Sequence, residues 1–358
     1  AIVHVSLVPE LGSLQEQKTK PTQHSVKDLR SLGLQPDILV CRSESSISEE
    51  TKEKLSLFCD VSKESIISAR DVNNIYEIPI ALDEEGLSES ISVQLELNNS
   101  SPLLSSWKSI QNKIQKSSET VSIGIVGKYT ELSDAYLSLV EAIKHASIDQ
   151  LVNSELIWID SSSFNEEDLI NLDGIIVPGG FGDRGIEGKV NASRIARENN
   201  IPFLGICLGL QCIIIDWGTN VAKLADVNSR EFDSSCLNPV IDLMPGQVNI
   251  EKVGGTQRRG TYPTKLLPNS KSLSLYNQEV IYERHRHRYE INNYYRGEMQ
   301  SDHYRLAGLS LDGNLIEIVE HADYDFFIGT QFHPEFNSYP NQPHPIFSGL
   351  ISSAKRKK

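Results

Sequence analysis

Cys207 stands where an apolar run, Pro202-Phe203-Leu204, passes through Gly205-Ile206-Cys207-Leu208-Gly209 into a helix-compatible stretch. A nucleophile between glycines at a strand-to-helix turn is an elbow arrangement, here with sulfur in place of a serine oxygen. The glycines relieve crowding where the chain turns sharply. A helix beginning at Leu208 aims its free N–H groups at the sulfur, which favours the thiolate. Taken alone, a cysteine at a strand end is as readily a small buried hydrophobe.

A second segment changes that balance. Phe327-Ile328-Gly329-Thr330 reads as a strand, and it runs into Gln331-Phe332-His333-Pro334-Glu335. A histidine there can take a thiol proton and later donate one to a leaving amine. Glu335 can hold the imidazole in its working orientation, as the acid does in a Ser-His-Asp triad. The third piece is Val177-Pro178-Gly179-Gly180, where glycines after a buried strand let backbone N–H groups approach an oxyanion. Gly180 and Leu208 are the expected donors. A phosphate loop is the rival for this segment, but no Gly-Lys-Ser/Thr follows.

These pieces need a sheet to bring them together, and from Val121 onward the sequence alternates accordingly. Strands are expected at Val121–Gly127, Leu156–Asp160, Gly174–Pro178 and Pro202–Cys207. Helices are expected at Ser133–Ala146, from Glu166, and at Ile186–Glu198. Apolar β-branched runs such as Ile175-Ile176-Val177 suit parallel strands covered on both faces. After Asn238 the strands shorten, and Asp312-Gly313 marks a hairpin. The expected fold is α/β, a mostly parallel open sheet flanked by helices with an additional smaller β-sheet.

The first part also alternates. Strands are expected at Ile2–Val8, Asp37–Cys41 and Leu55–Cys59, with a short helix at Ser25–Leu32. The abrupt opening in a strand suggests a missing upstream segment. The Ser-, Asn- and Lys-rich stretch 98–119 reads as a linker, with one helical turn at Trp107 and Ile110, so the expected domains are 1–97 and 120–358. The tail Ala354–Lys358 is expected to end a helix as a solvated basic stub.

A formal net charge of −14 over 358 residues argues against broad nucleic-acid binding, because polyanions are repelled overall. Five cysteines, odd in number and scattered, suggest reduced thiols rather than a disulfide framework. No Cys/His spacing suits zinc, so no metal site is expected. With neither an apolar run of membrane length nor a basic-then-apolar leader, a cytoplasmic protein is expected.

The three segments, in the chain order Pro178–Gly180, Gly205–Gln211 and His333–Glu335, resemble the class I (triad) glutamine amidotransferases. More narrowly, the chain resembles the C-terminal part of the CTP synthase family. The stretches that carry this are Gly127–Thr130, Gly182–Gly188, Asn228–Phe232, Glu283–Glu290 and Gln331–Phe336. The resemblance implies a flavodoxin-like amidotransferase domain preceded by part of an α/β synthetase domain. For glutamine it implies contacts from Gly180, Leu208, Gln211, Glu231 and Arg288, with Glu231 on the ammonium and Arg288 on the carboxylate. It places UTP, or CTP as feedback inhibitor, at Lys18, Thr19, Lys20, Pro21, Thr22, Gln23 and Lys54, across a subunit interface. Asp71 and Val72 match positions near the adenine of ATP.

The resemblance further implies a homotetramer able to form filaments, ATP and Mg²⁺ for the full enzyme, and GTP as an activator. No cofactor is expected in this chain, and the family's Gly-rich phosphate loop and acidic Mg²⁺ ligands are not in it. The ATP-dependent step is therefore not expected from these residues alone. Gln257 and Arg259 stand where the family usually has Met and Leu, beside the region tied to GTP. Rival readings are another class I amidotransferase, a cysteine peptidase or γ-glutamyl hydrolase, and a non-catalytic nucleotide-sensing module.

Overall fold

The computed structural model describes residues 1–12, 16–97, 102–128, 133–180, 182–243 and 257–357. The chain divides into two compact units, Ala1–Gln115 and Lys116–Lys358. Residues 98–101 of the expected linker lie outside the described residues, as do Tyr129-Thr130 and Gly254-Gly255-Thr256.

In the first unit, strands Val3–Leu7, Ile38–Ser43 and Ile66–Arg70 form a parallel sheet with Ile38–Ser43 in the centre. The central strand is apolar because both faces are covered: Leu39 packs with Val26, Leu55 and Ile66, whereas Ile38 and Val40 pack with Ile67 on the other side. The strand expected at Leu55–Cys59 is instead the end of a helix, Glu49–Cys59. Ser48 caps it by accepting a hydrogen bond from the Thr51 N–H, and Glu49 and Glu50 lie in its first turn. Thr51, Leu55 and Cys59 are buried at a spacing of four, a helical period that the apolar alternation of Leu55–Cys59 conceals. The single turn expected at Trp107 and Ile110 is part of a longer helix, Ser105–Lys116, which buries Ile110. The Trp107 ring lies 6.5 Å from that of Tyr76.

The second unit is built on nine strands: β1 (Glu119–Gly127), β2 (Val152–Asp160), β3 (Gly174–Val177), β4 (Phe203–Ile206), β5 (Arg258–Leu266), β6 (Val280–His287), β7 (Tyr304–Ser310), β8 (Ile316–His321) and β9 (Phe327–Thr330). They form one sheet in the order β6-β5-β7-β8-β9-β4-β3-β1-β2. From β9 through β2 every pairing is parallel. From β9 to β6 every pairing is antiparallel. The α/β architecture is thus present, with antiparallel strands extending the parallel half. A smaller three-stranded sheet, Val227–Ser229, Asn238–Leu243 and Tyr289–Ile291, stands beside it. The β7–β8 hairpin turns at Gly313, whose φ is +74°, and Ser310 Oγ accepts from the Leu315 N–H across the turn.

Helices cover both faces. Leu137–Asp149 and Pro345–Lys357 lie over one, with Ile143, Leu350 and Ile351 packed against Ile123, Ile176 and Ile328. Ile186–Glu198 and Leu208–Asp216 lie over the other, packing Ile195, Leu210 and Ile213 against Ile175 and Phe327. The basic tail ends the helix Pro345–Lys357 with Lys355, Arg356 and Lys357 exposed, as expected, and its charges also reach the body. Arg356 pairs with Asp325 at 2.6 Å, and Lys357 Nζ donates to the Leu172 carbonyl at 2.7 Å. No helix among the described residues is long and apolar enough to cross a membrane.

Candidate active site

Strand register decides where the three chemical segments emerge. β3, β4 and β9 are adjacent and parallel, with Val177 opposite Gly205 and Ile206 opposite Thr330. Residues immediately after these ends therefore share one carboxyl edge, where open α/β sheets bind ligands. Pro178–Gly180, Cys207 and His333 all emerge there.

Cys207 turns the chain from β4 into the buried helix Leu208–Asp216 with φ 53° and ψ −99°. A non-glycine residue in that conformation stores roughly 1–3 kcal/mol of strain, which the surrounding packing must hold. The neighbouring glycines make the close crossing possible. A β-carbon at Gly205 would lie 2.6 Å from the Gly209 carbonyl, and one at Gly209 would run into the Val177 carbonyl oxygen. The Cys207 N–H donates to the Thr330 carbonyl at 2.6 Å, tying the elbow to β9.

His333 follows β9, its N–H donating to the Arg284 carbonyl at 2.8 Å. Its Nδ1 meets Glu335 Oε1 at 2.8 Å, leaving Nε2 for the sulfur side. Burial opposes charge on this ring. The Cys207 sulfur and Glu335 outweigh it, and together they raise the imidazole to about 10. The pair is therefore an imidazolium beside a sulfur, ready for proton donation. Gly179 arches close over both groups: a β-carbon there would come within 2.6 Å of His333 Cε1 and 3.6 Å of Cys207 Cβ.

A cavity of about 120 Å³ opens at the sulfur, lined by Gly180, Cys207, Leu208, Gln211, Glu231, Gln257, His287, Arg288 and Tyr289. All five residues that the resemblance implies for glutamine are in this wall. Leu208 is the first residue of its helix, so its N–H has no carbonyl one turn back within the helix. Gln211 is buried and donates to the Tyr289 carbonyl at 3.3 Å, which leaves its own Oε1 without a partner. Burial raises the Glu231 carboxyl, while the Gly182 N–H, Arg288 and Lys128 pull it back toward the ionised form. An ammonium in the cavity would complete that compensation.

Several residues at or near the site were not singled out from sequence. In β6 the side chains alternate, with Glu283, His285 and His287 buried and Arg284 and Arg286 exposed. The run His285-Arg286-His287-Arg288 thus divides into a core face, an outer face and one arginine beyond the strand that reaches the cavity. Burial, reinforced by the Arg258 charge, pushes His285 down to about 2 and His287 to about 3. Both rings are neutral, and they share a 2.9 Å hydrogen bond. Lys189 is buried beside Gly180, 3.5 Å from where a β-carbon would sit. Gln331, inside the quoted motif, places Nε2 3.7 Å from the Cys207 sulfur. Its position directly after a buried strand that ends at the site was the available signal.

The nucleotide candidates are in the first unit. Lys20 and Pro21 are exposed at the start of helix Lys20–Ser31. Lys18 pairs with Glu16 at 2.5 Å, and both Lys18 and Lys54 hold the Glu16 carboxyl below its usual range, so the two lysines share a face. Both threonine hydroxyls have partners within this unit. Thr22 is buried, its hydroxyl donating to the Leu7 carbonyl at 3.1 Å, and the Thr19 hydroxyl accepts from Gln23 at 3.0 Å. Asp71 is ion-paired with Arg42, and Val72 is half-buried beside it.

The family model for "Glutamine amidotransferase class-I" matches residues 131–353, and that for "CTP synthase N-terminus" matches residues 1–97. The chain is 49% identical over 360 residues to a CTP synthase of Synechocystis sp., covering 99% of this chain and 65% of the relative. It is 51% identical over 356 residues to a CTP synthase of Carboxydothermus hydrogenoformans, covering 98% of this chain and 66% of the relative. The chain thus spans about 65% of the length of the curated relatives it matches. Among solved structures it resembles the glutaminase domain of Trypanosoma brucei CTPS with bound acivicin. That match has a TM-score of 0.63 and 32% identity, and covers 66% of this chain and 95% of the other. With most of its length matching the amidotransferase model, and Cys207, His333 and Glu335 gathered at one sheet edge, the chain belongs to the class-I glutamine amidotransferase family.

Proposed function

We propose that the second unit hydrolyses L-glutamine through Cys207, His333 and Glu335, and that the whole protein delivers the ammonia to UTP to make CTP. The observation that carries this is the cavity at the Cys207 sulfur. It is lined by Glu231, an acid for an ammonium, by Arg288, a guanidinium for a carboxylate, and by Gly180 and Leu208 beside the nucleophile.

The Cys207 sulfur attacks the side-chain carbonyl of glutamine, forming a C–S bond and moving the π electrons onto oxygen. The N–H groups of Gly180 and Leu208 receive that oxyanion, and one such donor is worth about 2.7–4 kcal/mol. His333 gives its Nε2 proton to the amine nitrogen, the C–N bond breaks, and ammonia leaves a γ-glutamyl thioester. Water, losing a proton to the same imidazole, cleaves the thioester to glutamate and restores the thiolate. Glu335 keeps Nδ1 protonated throughout, so that Nε2 is the atom that exchanges protons.

In the whole protein, ATP with Mg²⁺ would phosphorylate the 4-oxygen of UTP, and ammonia attacking C4 would expel that oxygen as inorganic phosphate, giving CTP. That chemistry would belong to the part of the relatives' length that this chain does not span. Lys18, Lys20, Gln23 and Lys54 would face the nucleotide phosphates, Asp71 and Val72 the adenine, and GTP would activate. The assembly would be a cytoplasmic homotetramer. Purified protein incubated with glutamine should release equimolar glutamate and ammonia, and Cys207→Ser should abolish both. Release by the variant at the unmutated rate would refute the assignment.

A further inference from the structure

Beyond the triad, one more side chain reaches the reacting sulfur. We infer that Gln331 is a further catalytic residue, whose carboxamide N–H donates to the Cys207 thiolate and holds it ionised and aimed at the cavity. This rests on the reading of Cys207 as nucleophile.

Gln331 Nε2 lies 3.7 Å from Cys207 Sγ, and the side chain is fully buried. Its position is fixed from both sides: the preceding Thr330 carbonyl accepts the Cys207 N–H, and the Gln331 N–H donates to the Glu317 carbonyl at 2.8 Å. Its Oε1 is buried with no hydrogen-bond partner. A core amide that leaves its acceptor unused while pointing its donor at a sulfur forgoes ordinary satisfaction, which is costly in a buried site. The compensation exists only when the sulfur is charged, because a thiolate accepts an N–H far better than a thiol does. The bond therefore discriminates between the two protonation states.

Among the described residues, charged or titratable groups coupled to this sulfur include His333 after β9, Lys189 on helix Ile186–Glu198 and Glu290 on strand Tyr289–Ile291. None of them is altered by substituting Gln331.

The test is the pH dependence of Cys207 alkylation by iodoacetamide in the full chain, followed by peptide mass spectrometry. Gln331→Met keeps the length without the donor, and Gln331→Glu keeps the shape but replaces the donor with an acceptor. Both should move the midpoint of the acid limb upward, by about one pH unit for Met and further for Glu. A midpoint unchanged in both would overturn the inference. Should either variant melt early, the unmutated chain carries the test. The Gln331 side-chain ¹⁵N–¹H resonances should titrate with the alkylation midpoint, and should be flat in Cys207→Ser. Resonances flat in the unmutated chain would overturn the inference. Failure of the unmutated chain to alkylate at Cys207 or to hydrolyse glutamine would instead sink the nucleophile assignment.

Discussion

His333 Nδ1 and Glu335 Oε1 lie 2.8 Å apart across a single intervening proline. With that nitrogen committed, only Nε2 is free to exchange protons with the sulfur and the substrate. The Glu335 charge is also among the causes that hold the imidazole at about 10 against its burial. The sign follows directly. A histidine raised in the folded state contributes stability that is full below its unfolded value near 6.5 and is lost as pH rises through about 10.

Glu335→Gln keeps the shape but removes the charge. Its kcat for glutamine hydrolysis should fall roughly 100-fold, and the alkaline limb of the pH–rate profile should move to lower pH as His333 loses its proton sooner. A limb that stays in place while kcat falls would mean that Glu335 only packs.

Arg288 reaches the cavity from just beyond β6, where its guanidinium can meet a carboxylate in bidentate fashion. Arg288→Lys retains the charge but not the fork. KM for glutamine should rise by about 10-fold or more with kcat changed far less, as read in steady-state ammonia release. An unchanged KM would remove Arg288 from substrate binding.

The elbow makes a prediction about stability rather than rate. At Gly209 a β-carbon would run into a backbone carbonyl, that of Val177, which cannot move without shifting β3. Gly209→Ala should therefore destabilise the fold by about 1–3 kcal/mol and lower Tm in thermal denaturation. Gly297, with open space around it, is the control, since Gly297→Ala should leave Tm within error or raise it.

His321 governs part of the acid response. Burial lowers it to about 4, with Asp323 opposing and His303, Arg197 and Lys271 assisting. Between pH 6.5 and 4 the unfolded chain binds a proton there that the native state does not, so stability falls as pH falls. The slope is at most about 1.4 kcal/mol per pH unit. His321→Phe, in a pocket already lined by Tyr304, Tyr324 and Phe327, should flatten the loss of Tm across that window. An identical pH–Tm curve would contradict it.

The legible parts of the sequence were those where one constraint dominates. The elbow glycines, the buried β-branched strands and the His-Pro-Glu turn each have a local physical reason that survives out of context. Leu55–Cys59 misled because five residues with apolar alternation fit a strand, while the helical signal lay upstream in the Ser48 cap and Thr51. The antiparallel extension of the sheet was hidden because pairing partners such as Thr264 and Ser310 are distant in sequence. Lys189 became visible only when packing brought its helix to the site, whereas Gln331 carried one positional signal, its place directly after the buried strand Phe327–Thr330. A buried amide or lysine has no sequence signature of its own.

Glutamine hydrolysis turns on a covalent step at one sulfur. Rapid acid quenching of the chain mixed with glutamine, followed by mass spectrometry, should find a γ-glutamyl group on the peptide containing Cys207, and none on Cys212 or in Cys207→Ser. Glutamate and ammonia formed by a chain that carries no such adduct at any quench time, at a rate the Cys207→Ser chain matches, would contradict it.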